Sequence, residues 1–343
     1  MKALRFHEGL STVVEEVARP EPGPGEVLLR VTAAGFCHTD IDILHGRYPA
    51  SFPRIPGHEF SGVVEAVGEG VDAAMVGRLV AVDPLLSCGE CRNCRRGYLN
   101  LCATVRAYGA DLDGGMAQHA VVAAANAHDA TGLSPLVAAM AEPFACVLNA
   151  IQRSGMVAGD TVAVIGAGPI GMMMGVLLST LGAAEVVVYD IAAERLARAE
   201  RYGFTRTVLV ESDVESAAAG ARYDVVFDAT GRPAVVQQAI RLLEDAGTLV
   251  PFGVCPPGSE IRIDPNEVYA RQLRIIGSFS LHGTVPDAVA LLQRTVYDVE
   301  SLVTHRFSLD EAADGVRTIG SPDSLKVQIV FGVRAAPAGR IGG

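Results

Sequence analysis

Three groups of residues in this 343-residue chain have the types and spacing to do chemistry. The densest is CGECRNCRRGYLNLC, residues 88 to 102, where Cys88, Cys91, Cys94 and Cys102 follow the pattern C-x2-C-x2-C-x7-C. Cysteines this close cannot all form disulfides without strain, and a redox pair needs only two. Four thiolates suit a closed tetrahedral zinc site, which holds a loop that has little core of its own. Reduced, metal-free structural cysteines are the plain alternative. Arg92, Arg95 and Arg96 invite a nucleic-acid-binding reading, but no histidine pair follows and no basic domain surrounds them, so they read as a solvated face.

The second group is VIGAGPIG, which sets Gly166, Gly168 and Gly171 as G-x-G-x-x-G between an apolar strand and a helix. Asp190 closes the next strand, nineteen residues after Gly171. In that context Gly166 permits a tight turn, Gly168 lets backbone approach a pyrophosphate, and Gly171 lets the helix pack on the strand. The helix N-terminus supplies free N–H groups to phosphates, and Asp190 can accept from ribose hydroxyls. A glycine-rich buried turn with no ligand is the bland reading. The third group is dispersed: Cys37 in GFCHTD, His58 and Glu59 in PGHEF, and Glu142 in AEPF. Singly these are a buried thiol, a hydrogen-bonded histidine and two acids. Together they offer the soft, borderline and hard ligands of an open, catalytic zinc site.

The elements that must position these groups fall into two styles. Up to about residue 150 the chain has short β-like runs, GEVLLRV, FSGVVEAV, GRLVAV and AQHAVV, punctuated by glycine and proline. From about Gly159, apolar strands TVAVIG, EVVVYD, TVLV, YDVVFDATG, GTLVPFG and LRIIGSFS alternate with helical segments. One of these is PAVVQQAIRLLED, with Val235, Val236, Ala239, Ile240 and Leu243 on one face. Such alternation predicts an α/β, doubly wound parallel sheet. Beyond residue 286 one helical run and the strand SLKVQIVFG follow, the latter able to rejoin the first domain, and the tail AAPAGRIGG is expected to be mobile.

Composition sets outer limits. A net charge of −11 and a pI near 5.2 argue against nucleic acid or an anionic membrane surface as the main partner. Thr161 to Ala184 lacks charge, but Gly166, Gly168, Pro169 and Gly171 break it where a membrane span needs continuous helix. The start, MKALRFHEGLSTVVEE, lacks the apolar core of a secretory signal, so a reducing cytoplasm is expected.

GFCHTD, PGHEFSGVV, the four-cysteine segment, AEPF, GAGPIG, Asp190 and LKVQIVF occur in order along nearly the whole chain. In this the chain resembles the zinc-dependent medium-chain alcohol dehydrogenases, with features of their polyol (sorbitol- or iditol-like) and threonine dehydrogenase branch. The resemblance implies a GroES-like β-rich catalytic domain, residues 1–149 completed by 287–343, and a Rossmann domain, 150–286. It implies NAD, one structural and one catalytic zinc per chain, a small-molecule alcohol or ketone substrate, and a homodimer or homotetramer. Cys37 and His58 match zinc ligands, Glu59 and Glu142 match an acidic pair of which one ligates directly, and Thr39 matches the hydroxyl that meets the substrate. Pro169, Ile170 and Arg195 fall at cofactor positions, and Phe252, Gly253, Val254, Phe279, Ser280 and Leu281 fall where the family lines the nicotinamide. The relay histidine common five residues after the ligand cysteine is replaced by Asp42, with His45 nearby; either is a candidate proton carrier, and Asp42 could instead cap a helix beginning at DIDILHG. The expected reaction is oxidation of a secondary alcohol, with a polyol or cyclitol-like sugar alcohol favoured over a simple alcohol or threonine.

Overall fold

The structure, a computed structural model, describes residues 1–332; the tail AAPAGRIGG lies outside the described residues. The chain divides into two compact units. The first comprises Met1–Pro143, Val285–Gln293 and the chain from Glu300 onward; the second comprises Phe144–Thr284 and Arg294–Val299. The first division thus falls at Pro143, inside the opening turn of the helix Ala141–Ser154, rather than at residue 149.

The first unit is organised by a seven-stranded sheet. Its order is Val303–Phe307, Lys326–Val330, Glu26–Gly35, Glu59–Val67, Leu79–Val82 and Ala127–Asp129, with His119–Ala123 pairing the start of Glu26–Gly35. The strand SLKVQIVFG therefore does rejoin the first unit, antiparallel to Glu26–Gly35 and parallel to Val303–Phe307. β-Branched residues, among them Val27, Val31, Val64, Val80, Val82 and Ile329, fill the core on the sheet. The cysteine segment leaves this body through a short stem in which Leu85–Leu86 pairs antiparallel with Arg106–Ala107.

In the second unit six parallel strands run Arg206–Leu209, Glu185–Asp190, Thr161–Ile165, Tyr223–Asp228, Leu243–Pro251, Arg274–Ile275. In chain order that is 3-2-1-4-5-6, the Rossmann arrangement, with the reversal between Thr161–Ile165 and Tyr223–Asp228. The uncharged stretch from Thr161 is strand, turn and the buried helix Pro169–Thr180, and no described helix is long and apolar enough to cross a membrane. One expectation needs correction: PAVVQQAIRLLED is helical only over Pro233–Ala239, then a 3-10 turn, and Leu243 opens a strand. Leu243 is buried, but in the sheet. A single apolar residue near a helix end fits either period, and pairing with Tyr223 decides it.

Within the fingerprint, Gly166 has φ of +110°, in the left-handed range that glycine adopts without strain. A Cβ on Gly171 would collide with the Gly166 carbonyl oxygen, whereas a Cβ on Gly168 would meet nothing within 4 Å. The first glycine is thus demanded by its backbone conformation and the third by packing, and the second leaves open space. Gly171→Ala is therefore expected to lower unfolding free energy by about 2 kcal/mol, through strain in the turn. Denaturant titration beside Gly168→Ala, which should cost less, checks this; equal costs would contradict it.

Candidate zinc centres and cofactor site

Cys37 follows the strand Glu26–Gly35 and caps the helix His38–Leu44. Asp40, in the first turn of that helix, reaches back to accept the Cys37 backbone N–H at 2.8 Å, which fixes where the thiol sits. The helix begins at His38, not at Asp40 or later, so Asp42 lies inside it and is not its cap. His58 precedes and Glu59 opens the adjacent strand Glu59–Val67, after Gly57, whose φ is +93°. Glu59 pairs across the ladder with Gly35, where any Cβ would strike its carboxylate.

The ligand atoms of Cys37, His58 and Glu59 lie within 4.8 Å of one another. Glu142, buried at the start of Ala141–Ser154, stands outside that group, although its charge acts on His58. Two further ionisable residues, absent from the sequence reading, complete the cluster. Asp40 is fully buried, with Oδ1 3.8 Å from His58 Nδ1. Lys326, in the last described strand, is buried with its ammonium on the Glu59 carboxylate and 3.0 Å from the Phe36 carbonyl oxygen. Both leave a trace in the sequence: Asp40 stands three residues after Cys37, and Lys326 interrupts an apolar strand. Nothing local says which partner either one meets.

Electrostatics follow from this enclosure. Burial pushes the Asp40 carboxyl up, against the pull of His58. For His58, burial lowers the pKa, but the hydrogen bond with Cys37 and the charges of Asp40, Cys37 and Glu142 outweigh it and raise the pKa well above the usual histidine value. Lys326 is raised likewise, because Glu59 and Cys37 oppose the effect of burial. Three buried carboxylates and a thiol beside one imidazole and one ammonium form a set that a divalent cation would balance, and the donor types suit zinc.

The expected relay residues are placed as follows. Thr39 Oγ1 is 3.7 Å from Cys37 Sγ. Asp42 accepts from Arg47 Nε at 2.8 Å, and His45 Nδ1 is 2.7 Å from the Ile41 carbonyl oxygen of its own helix. Thr39 adjoins the cluster; Asp42 and His45 are engaged by groups outside it.

In the cysteine lobe the four sulfurs also gather, with Sγ–Sγ distances of 3.5 Å for Cys91–Cys94 and Cys88–Cys102 and 3.9 Å for Cys88–Cys94. None is a disulfide. A tetrahedron with Zn–S bonds of about 2.3 Å has edges of about 3.8 Å, so the spacing fits. Backbone N–H groups of Cys88 and Thr104 donate to Cys102 Sγ and hold its thiol down at about 6. Hydrogen bonds from backbone likewise lower Cys91, while burial pushes Cys94 up to about 12.

In the second unit, Asp190 is buried and accepts the N–H of Ala167, inside the glycine turn, at 2.6 Å and that of Ala192 at 2.8 Å. Pro169 and Ile170 open the helix that follows the turn, and Arg195 is half-buried one turn after Ile191. The Phe252 and Gly253 N–H groups bond the Asp228 carbonyl oxygen at 2.9 and 2.8 Å. The Asp228 carboxylate holds Thr230 and Gly231. Val254 and Phe279 are exposed, Ser280 has φ of +55°, and Leu281 is buried. Asp228 is a further residue the sequence reading missed, although it ends the strand of YDVVFDATG as Asp190 ends EVVVYD.

Residues 23–132 match the family described as alcohol dehydrogenase GroES-like domain, and residues 169–294 match that described as zinc-binding dehydrogenase. Over 96% of this chain and 99% of the relative, 41% of residues are identical to D-altritol 5-dehydrogenase of Agrobacterium fabrum. The chain belongs to the zinc-dependent medium-chain alcohol dehydrogenases. It is an oxidoreductase of alcohols. Its fold matches a zinc-binding dehydrogenase of Sinorhizobium meliloti bound to NADP, with a TM-score of 0.91, 34% identity and coverage of 96% and 98%. It also matches the rspB alcohol dehydrogenase of Escherichia coli CFT073 complexed with NADH, with a TM-score of 0.90, 31% identity and coverage of 96% and 99%.

Purified enzyme is expected to contain two zinc ions per chain, one for each of the two clusters. Cys91→Ser should lose one and unfold more readily, because structural zinc contributes folding energy directly. His58→Ala should keep the fold and the lobe metal but lose about a thousand-fold or more in turnover. Metal analysis with thermal melts and assays checks both; one zinc or none in undepleted protein would contradict the assignment.

Proposed function

We propose that this dehydrogenase oxidises a secondary hydroxyl of a polyol or cyclitol-like sugar alcohol to a ketone, with NAD as the preferred acceptor. The observation that carries the reading is the Cys37–His58–Glu59 group, two half-buried ligands and one buried carboxylate whose ligand atoms converge, in a chain that also holds the full glycine fingerprint. The polyol preference is supported by the relative named D-altritol 5-dehydrogenase and by the paired glutamates Glu59 and Glu142.

When bound, zinc supplies a Lewis acid that makes a substrate hydroxyl easier to deprotonate, and NAD supplies the hydride acceptor. The chain's own residues do the rest. Cys37 and His58 hold the metal, with Glu59 or Glu142 as third protein ligand. Asp40 fixes the Cys37 backbone and faces the His58 ring, while Lys326 balances Glu59. Thr39, whose hydroxyl lies beside the Cys37 thiol, is the group that would receive the substrate proton and release it towards solvent. Gly168 leaves room for the pyrophosphate, Asp190 takes the adenosine ribose hydroxyls, and Arg195 lies beside it. Phe252–Val254 and Phe279–Leu281 line the nicotinamide. Preference for NAD rests on the Asp190 carboxylate, which two backbone N–H groups fix at the end of its strand and whose charge would repel a 2′-phosphate. Four cysteines gathered at metal-ligand spacing suit a reducing cytoplasm, and the family resemblance supports a homodimer or homotetramer.

The direct test is a panel of polyols, cyclitols, simple alcohols and threonine assayed with NAD and with NADP. The expected result is highest kcat/KM on a polyol or cyclitol with NAD. Best turnover of threonine or a simple alcohol would overturn the substrate, and equal or better use of NADP, the ligand of the Sinorhizobium meliloti structure, would overturn the cofactor preference.

A proton route through Thr39 alone predicts that Asp42→Asn and His45→Gln leave the pH–rate profile unchanged, because Asp42 is tied to Arg47 and His45 to Ile41. A shifted limb in either variant would restore that residue to the relay.

A further inference from the structure

The helix Ala141–Ser154 presents three residues, one turn apart, to the segment 277–284 within the second unit. Arg153 Nε donates to the Gly277 carbonyl oxygen at 2.6 Å. The Ala145 carbonyl oxygen accepts from Thr284 Oγ1 at 2.8 Å, and that hydroxyl also receives the His282 N–H. Between them stands Asn149, 2% exposed. Its Nδ2 is 2.7 Å from the Ser280 carbonyl oxygen and 3.4 Å from both the Phe279 carbonyl oxygen and Ser278 Oγ.

The segment needs such support. Ser280 takes φ of +55°, in a region that residues with a Cβ disfavour. Phe279 is 58% exposed while Leu281 is buried, so the backbone turns over between them. The Asn149 amide donates to the carbonyls of two successive peptides, Phe279–Ser280 and, at the shorter distance, Ser280–Leu281, and thereby holds the backbone on either side of the Ser280 Cα in one orientation. A side chain that served only to fill the core would need no donor at this point.

We propose that Asn149 is a positioning residue for the nicotinamide half of the cofactor, holding Phe279–Leu281 in the one shape that accepts the ring. This rests on the reading that Phe279–Leu281 lines the nicotinamide. Nothing in it depends on the metal. Asn149→Asp keeps the size and replaces the donor by an acceptor facing two carbonyl oxygens; Asn149→Ala removes the amide altogether.

The experiment measures binding of NADH and of AMP, which lacks nicotinamide, to the zinc-loaded wild type and both variants. Nicotinamide fluorescence reports NADH, and hydrogen exchange reports residues 278–284. The expected result is NADH binding weaker by about ten-fold, as follows from a buried donor lost beneath a binding surface, with AMP affinity unchanged. Exchange in 278–284 should accelerate, and KM for NAD should rise with NADH dissociation while KM for the alcohol changes less. Variants that bind NADH as wild type does would overturn the proposal, and so would equal loss of NADH and AMP, which marks general damage to the unit. Wild type that binds NADH no more tightly than AMP, without a fluorescence change, would overturn the nicotinamide reading beneath it.

Discussion

Ionised groups taken out of water have to be balanced, and the first unit is built around one such balance. Glu59 and Lys326 are 267 positions apart in sequence, and both are buried. Removing one partner of a buried pair typically costs about 3–5 kcal/mol, because the other charge is stranded. The sheet makes the pair possible: Glu26–Gly35 has Glu59–Val67 on one side and Lys326–Val330 on the other. Gly35, without a side chain, is the gap through which the two charges reach each other across the middle strand. Gln328, fully buried two residues on, donates from Nε2 to the Leu136 carbonyl oxygen at 3.0 Å, so the polar residues of this strand are anchored on one face.

The second unit meets a similar demand with backbone rather than with a counter-ion. Asp190 and Asp228 end the two strands that flank Thr161–Ile165; the Asp228 carboxylate gathers N–H groups of the loop beyond its strand, and that of Asp190 takes one from its own loop and one from the glycine turn. Burial raises the Asp228 pKa, and those hydrogen bonds oppose the rise. The loops so ordered lie at the carboxyl ends of the strands, beside the point where strand order reverses, which is where open α/β sheets bind ligands. Two short-range devices thus shape a surface that the apolar strands alone would leave to fluctuate.

Features written in contiguous residues were legible in the sequence. The glycine fingerprint, the runs around Val162, Val187 and Val226, and the four-cysteine lobe all carry their meaning within one element and one turn. The gathering of Cys37 with His58 and Glu59 was suggested by their ligand types and by family resemblance; no local spacing joins residue 37 to residue 58. Asp40, Lys326 and Asn149 were not read. An aspartate early in a helix suggests a cap, a lysine in a strand suggests an edge, and an asparagine in a helix suggests nothing. Their roles depend on what stands opposite in three dimensions: His58, Glu59 and the Ser280 carbonyl. The helix starting at His38 was placed late for a related reason, since cysteine is a rare cap and its role depends on the returning Asp40 side chain.

The strand Lys326–Val330 also has a consequence for the order in which the molecule can come into being. It is an interior strand of the first unit's sheet, lying between Val303–Phe307 and Glu26–Gly35. At synthesis rates of about 5–20 residues per second, the partner of Gly35 reaches it about 15–60 s after Gly35 itself is made. During that interval the second unit, nearly contiguous from Phe144 to Thr284, is completed and free to fold. The N-terminal strands meanwhile wait with an open edge, and Glu59 waits without its ammonium. On the ribosome, the part of the enzyme written first is therefore the part finished last.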